Sequence, residues 1–244
     1  MKTNNINVGI FGKGYWGKIL HKNLLKISNI KFVADSKTTN KYEVKKLDWC
    51  IVATPDNTHY KLVKKILKKK INVFCEKPLS RSLNECKELY KLARKNNVKL
   101  YVSDIELFRN LKFIKNFKKI EIFRGKKIKS TLSDLLYKLM YHDLYIVYDL
   151  IKHLKINTIS CEKKIDRFKI FFNFEKQKII FSYDRNLNRK IHSINNKILS
   201  KRKNLILKMF KNLFLDKSKL HENKERSLFC VKMLNQIEKV FNEK

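Results

Sequence analysis

Only five glycines serve the 244 residues of this chain, and four of them stand within the first 17. Where about 7% glycine is usual, a chain this poor in it keeps glycine where backbone geometry allows nothing else. Three of the four form Gly12-Lys13-Gly14-Tyr15-Trp16-Gly17, directly after the apolar, β-rich run Ile6 to Phe11 and at the mouth of helical spacing from Tyr15 to Ile27. In that setting the first glycine permits a tight turn, the second lets a pyrophosphate approach the backbone, and the third lets helix and strand pack closely. Asp35 ends the next β-type run, 18 residues after Gly17, where an acid can hold both ribose hydroxyls of NAD. Lys37 offers a 2′-phosphate an alternative, so NADP stays open. A glycine turn with a capping or surface Asp is the bland alternative.

The first hundred residues alternate β-type runs (Ile30 to Ala34, Trp49 to Ala53, Ile71 to Cys75, Val98 to Val102) with helical ones (Thr58 to Lys70, Ser82 to Asn96). Such alternation predicts βαβ units and a Rossmann-type, doubly wound parallel sheet, an α/β domain over residues 1–105. After that the pattern changes. Lys119 to Phe123 reads as a strand and Ser133 to His153 as one long amphipathic helix. Apolar residues alternate at Phe168, Ile170, Phe172 and Phe174, and again at Ile179, Phe181 and Tyr183 after the polar turn Glu175 to Gln177, which predicts an antiparallel hairpin. With helices over Lys203 to Leu215 and Glu225 to Phe241, residues 106–244 read as a smaller α+β domain with a mostly antiparallel sheet, for substrate binding or oligomerisation.

The chain has two prolines, in Ala53-Thr54-Pro55-Asp56-Asn57-Thr58-His59 and in Glu76-Lys77-Pro78-Leu79, each at the end of a predicted strand. Ligands of doubly wound sheets bind outside the carboxyl ends of the strands, so these segments and the glycine loop converge on one crevice. On G-x-G-x-W-G, A-T-P-x-x-x-H and E-K-P-L, in this order and spacing, residues 6 to 106 resemble the glucose-fructose oxidoreductase/inositol dehydrogenase (Gfo/Idh/MocA) family of nicotinamide-dependent sugar and polyol dehydrogenases.

The resemblance implies NAD as cofactor, held by the glycine loop with Tyr15 and Trp16, by Asp35, by Thr54, Pro55, Asn57 and His59, and by Glu76 near the nicotinamide ribose. It implies Lys77 as the residue that hydrogen-bonds the reacting hydroxyl or carbonyl. A lysine there can polarise that oxygen and stabilise negative charge as hydride moves. In Met140-Tyr141-His142-Asp143 it implies His142 as the catalytic proton acceptor, a task that suits imidazole near neutrality. The family's Asp one turn earlier is replaced by Lys138, with Asp134 or Asp143 as substitutes. The family's larger second domain, with a broad sheet for subunit pairing, is trimmed here, leaving a homo-oligomer as an open expectation.

Charge is the other unusual feature: 57 Lys and Arg against 22 Asp and Glu give a formal +35. The basic residues spread along the whole chain and thicken between Arg185 and Lys219, where Lys201-Arg202-Lys203 precedes the apolar Leu205, Ile206, Leu207, Met209, Phe210, Leu213, Phe214 and Leu215. A basic helix with such a stripe can lie on an anionic membrane surface, but it more often faces a core with a solvated basic back. The simplest use of the charge is attraction of acidic, phosphate-bearing substrates. Five cysteines without C-x-x-C spacing read as buried thiols, with no metal site expected. No signal-peptide pattern or 18-residue apolar stretch is seen, so the default expectation is cytoplasmic. The leading reading is an oxidoreductase acting on a small sugar-like substrate. A catalytically silent dinucleotide-binding partner or regulatory subunit is the second, and a membrane-surface or nucleic-acid binder, resting on charge alone, the third.

Overall fold

A computed structural model describes residues 6–35, 46–109, 111, 117–127, 131–199, 204–215 and 219–242. Lys37 and Lys201 to Lys203 lie outside the described residues. The chain forms two compact units, Met1–Phe108 with Asn204–Val231, and Arg109–Lys203 with Lys232–Lys244. The expected linear division at residue 105 thus gives way to an interleaved one, in which Asn204–Val231 returns to the first unit.

In the first unit the alternation produces β1 (Asn7–Phe11), α1 (Tyr15–Leu24), β2 (Asn29–Ala34), β3 (Trp49–Val52), α2 (Asp56–Lys68), β4 (Asn72–Cys75), α3 (Leu83–Lys95) and β5 (Leu100–Val102). All strands run parallel in the order β2-β1-β3-β4-β5, so the doubly wound α/β reading holds. β3 is buried at every residue, as a strand covered on both faces must be. The helices bury stripes at helical spacing, His59, Val63, Ile66 and Leu67 in α2, and Cys86, Leu89, Tyr90 and Ala93 in α3. Ser82 caps α3, its Oγ accepting from the Glu85 N–H.

The remaining face of this core is closed by α6 (Leu205–Phe214), whose Met209, Phe210 and Leu213 pack among Val8, Trp49, Phe74 and Tyr101. Phe210 lies 4.7 Å, centroid to centroid, from Phe74. The stripe that would suit a membrane surface is therefore spent on a protein core. The helix α7 (Leu220–Asn242) begins earlier than the expected Glu225 and supplies Asn223, which serves edge strand β5. The Val102 N–H donates to Asn223 Oδ1 (2.9 Å), and Asn223 Nδ2 donates to the Val102 carbonyl (2.8 Å). Among the described residues no helix is long and apolar enough to cross a membrane.

The second unit is built on β6 (Lys119–Gly125), β7 (Thr158–Lys163), β8 (Arg167–Asn173), β9 (Lys178–Asp184), β10 (Ile191–Ile194) and β11 (Lys197–Ile198), in the order β11-β10-β6-β9-β8-β7. Only the β6–β9 pair among them is parallel. The expected hairpin is β8–β9, with Phe168 opposite Tyr183, Ile170 opposite Phe181 and Phe172 opposite Ile179. The helix expected from Ser133 to His153 is instead three pieces: α4 (Leu132–Leu135), a wide π-type turn at Leu136–Met140, and α5 (Tyr141–Ile151). Tyr137, inside the wide turn, is held by Asn235 Nδ2 (2.7 Å) and donates to Glu238 Oε2 (3.1 Å).

Candidate functional site

Four strand ends of the first unit carry the sequence-predicted site. Gly12 follows β1, Asp35 follows β2, Ala53 and Thr54 follow β3, and Glu76 and Lys77 follow β4. The sheet order reverses between β1 and β3, so the glycine loop and the Thr54 loop flank the switch point where doubly wound folds hold ligands. The loops are locked to the sheet by backbone bonds that continue its ladder. Gly12 N–H donates to Ala34 O (2.7 Å), Ala53 N–H to Phe11 O (2.8 Å) and Glu76 N–H to Val52 O (2.8 Å).

Two of the three glycines have a steric reason to be there, and the third leaves the backbone open. Gly12 adopts φ +126°, and a Cβ on it would overlap the Ala53 carbonyl group. A Cβ on Gly17, in the first turn of α1, would overlap the Gly12 carbonyl oxygen and stand 2.7 Å from its carbon, so α1 packs directly on the loop. Gly14 is exposed, and nothing lies within 4 Å of where its Cβ would point. This is a cradle that a pyrophosphate fits: a fixed turn, a close helix N-terminus and an open backbone approach at the middle glycine. Tyr15 and Trp16 are exposed on α1's first turn, ring centroids 5.9 Å apart. Asp35 is partly exposed and is met by Lys13 Nζ at 3.4 Å.

The other two segments are fastened to each other. His59 is 1% exposed; its Nδ1 lies 2.7 Å from the Pro78 carbonyl and its Nε2 2.8 Å from that of Thr54. Burial lowers its pKa while the two carbonyls work against the fall. The ring therefore braces the Thr54 loop against the Lys77-Pro78 segment from inside the protein, a different place from the cofactor-lining one expected. Thr58 Oγ1 lies 2.7 Å from Thr54 Oγ1 and donates to Pro55 O (2.7 Å), while Pro55 and Asn57 are exposed. Arg81 Nε and Nη2 both reach Asp56 Oδ2 at 2.8 Å, a second tie between the same segments. Glu76 is buried, which raises its pKa against the pull of Lys77 and Ser103. Lys77, partly exposed, joins Pro78 through a cis peptide.

In the second unit His142 is half-buried in the first turn of α5. Asp143 beside it is 0% exposed and faces away into the sheet. Arg124 on β6 brings Nε within 2.8 Å of both carboxylate oxygens and Nη2 within 2.7 Å of Oδ1. Tyr183 donates to Oδ2 (2.8 Å), and His192 Nε2 stands 3.1 Å from Oδ1. Burial pushes the Asp143 carboxyl up, but the Arg124 guanidinium and His192 more than reverse this, holding it at about 2. Asp143 is thus occupied as the anchor of α5. Lys138 pairs with Asp134 at 3.2 Å, and because a π-type turn closes i→i+5 bonds, counting four residues back from His142 no longer returns to its face. Among the described residues no three His, Cys, Asp or Glu side chains gather as a metal site, and all five cysteines are buried thiols outside any disulfide.

Sequence reasoning missed Lys13, Arg81 and the Arg124–Asp143 cluster. One signal existed: Arg124 shares the inward face of β6 with Ile120 and Ile122, so it demanded a buried acid.

With this geometry in hand, the comparisons are consistent. Residues 23–104 match the oxidoreductase family, NAD-binding Rossmann fold, described as GFO_IDH_MocA. That stretch of the chain is therefore similar to the NAD-binding Rossmann fold of this oxidoreductase family. The uncharacterized oxidoreductase YrbE of Bacillus subtilis is 31% identical over 140 residues, 49% of this chain and 40% of that protein. The matches span only 33–40% of the length of the curated relatives. The UDP-N-acetylglucosamine 3-dehydrogenase GnnA from Acidithiobacillus ferrooxidans superposes with a TM-score of 0.81 at 12% identity, covering 96% of this chain and 97% of that one. GenD2 from gentamicin A biosynthesis, solved in complex with NAD, superposes with a TM-score of 0.77 at 12% identity, covering all of this chain and 96% of that one.

Proposed function

We propose that the chain is an NAD(P)-dependent dehydrogenase that moves hydride between the nicotinamide and a CH–OH or C=O carbon of a sugar, polyol or nucleotide sugar. The observation that carries this reading is the steric requirement for glycine at Gly12 and Gly17, with an open backbone approach at Gly14, on the same strand-end edge as Lys77. The glycine loop and the N-terminus of α1 hold the pyrophosphate, and Asp35 takes the adenosine ribose. Thr54, Pro55, Asn57 and Glu76 line the remainder, while His59 positions two of these segments. When bound, the nicotinamide supplies the hydride acceptor or donor. Lys77 donates a hydrogen bond to the substrate oxygen and stabilises charge there, and His142 takes up or returns the hydroxyl proton. The dehydrogenase named for GnnA and the NAD bound to GenD2 support the class of reaction and the cofactor. The net charge of +35 supports a phosphate-bearing substrate.

The test is Lys77→Met, assayed against a panel of sugars, polyols and nucleotide sugars, with dinucleotide binding measured in parallel. Turnover is expected to disappear while cofactor affinity stays within about threefold, because a strand-end lysine that acts on the substrate oxygen contributes mainly in the transition state. Unchanged turnover removes Lys77 from the chemistry. Saturable binding without turnover of any substrate by the parent chain would support the silent-partner reading.

A further inference from the structure

We propose that the second unit holds a separate binding site for a small phosphate-bearing molecule with an apolar body, on the face of its sheet turned away from α5. Alternation along the strands sorts the two faces. Arg124, Tyr183 and His192 all reach Asp143 of α5, so the residues next to them in sequence, Phe123 on β6, Ser182 on β9 and Ile191 on β10, point to the other face. There they line a cavity of about 490 Å³ with Lys169, Leu187 and Arg189, a size within the roughly 300–1,000 Å³ of small-molecule sites. His142 stands on α5, across the sheet from this cavity, so the molecule bound here is not the one that exchanges a proton with it.

The cavity has a built roof. The loop between β9 and β10 folds back over the sheet, and Gly125, the one glycine outside the first 17 residues, lets it close: a Cβ on Gly125 would overlap Leu187. The loop is fastened at its start, with Arg185 Nε donating to Asp166 Oδ1 (3.0 Å) and the Asn186 N–H to Asp184 Oδ1 (2.9 Å). In the floor, Ser182 has Lys169 as its neighbour on β8 and Phe123 as its neighbour on β6. Ser182 is 5% exposed, and its Oγ has no hydrogen-bond partner among the described residues. A buried hydroxyl left unpaired is costly, and an acceptor seated between Lys169 and Phe123 removes that cost. Of the lining cations, Arg167 is taken by Asp184 at 2.7 Å, whereas Lys169 and Arg189 have no carboxylate partner among the described residues. Two unpaired cations and a donor hydroxyl match the charge and the acceptor oxygens of a phosphate, while Phe123, Leu187 and Ile191 cover an apolar body.

The experiment is a calorimetric titration of the full chain with phenyl phosphate near physiological salt, with inorganic phosphate, benzoate and phenol as partial probes. Phenyl phosphate is expected to bind at one saturable site and more tightly than any of the three. Lys169→Ala and Arg189→Ala, which change exposed side chains, should each weaken it about fivefold, and Ser182→Ala about threefold. Lys163→Ala, which removes a cation of the same unit outside the cavity, and Lys77→Met should change it less than twofold. An equal loss in Lys163→Ala, or no loss in Lys169→Ala and Arg189→Ala, would mean general attraction to a basic protein and overturn the proposal. Absence of saturable binding would overturn it too, and benzoate matching phenyl phosphate would overturn the assignment to phosphate. Light scattering in parallel tests the rival occupant: a dimer that Ile191→Asp separates and that takes up no phenyl phosphate would give this face to a second copy of the chain instead.

Discussion

Arg124→Met tests whether the buried cluster anchors the helix that carries His142. The substitution keeps the apolar stem and removes the guanidinium, leaving the fully buried Asp143 with Tyr183 at 2.8 Å and His192 at 3.1 Å. Breaking a buried ion pair from one side costs about 3–5 kcal/mol. In a unit of about 100 residues that lowers Tm by roughly 12–25 °C. The pH dependence gives a second signature. In the parent, the Asp143 pKa of about 2 lies below its ordinary 3.8, so it contributes about 2 kcal/mol of stability above pH 4 that is lost as pH falls through 2. Without Arg124, burial raises the folded pKa above the unfolded one. The variant's deficit should then be greatest at neutral pH and shrink as pH falls toward 4. Urea unfolding from pH 4 to 8, followed by a probe in the second unit, measures both effects. A deficit below about 1 kcal/mol at pH 7, or one that grows on acidification, would refute the reasoning, as would an Arg124→Met/Asp143→Asn double variant no more stable than the single one.

Three further outcomes follow from described contacts. Gly17→Ala should destabilise the first unit by more than about 1 kcal/mol and abolish dinucleotide binding, since its new Cβ meets the Gly12 carbonyl, which is backbone and cannot swing aside; calorimetry with a binding titration checks both. Phe210→Ala should cost about 3–5 kcal/mol at the contact with Phe74, read by denaturant unfolding of the first unit. Asp104, buried and raised to about 6, should titrate near that value by carboxyl NMR. Because its folded pKa exceeds the unfolded one, it favours the folded state less as pH rises from about 4 to 6, a penalty of about 3 kcal/mol that Asp104→Asn should flatten.

The parallel sheet was legible because its determinants are local: apolar runs of strand length, helical spacing between them, and glycines at turns. The strand-end loops were legible for the same reason, since each follows its strand directly. Three things were hidden. The stripe Leu205, Met209, Phe210, Leu213 shows that α6 must be covered, but nothing in a stripe says which core covers it. The wide turn at Leu136–Met140 leaves no mark in a run of Leu, Tyr and Met that also suits a regular helix, so face-counting from His142 failed without warning. His59 carries the pattern of a ligand-facing residue, and only the positions of the Thr54 and Pro78 carbonyls reveal it as a brace.

The return of Asn204–Val231 to the first unit bears on how the chain is made. As synthesis passes β5, the Rossmann sheet has all its strands, yet the apolar face that Met209 and Phe210 will cover is bare, and Val102 at the sheet edge still lacks Asn223. More than a hundred residues, the whole of the second sheet among them, must be translated before those groups arrive. For that interval the nascent Rossmann half shows exposed apolar surface and an open strand edge, the features that promote aggregation. By the same logic a fragment ending near residue 105 is expected to be insoluble, although it contains every residue of the glycine loop.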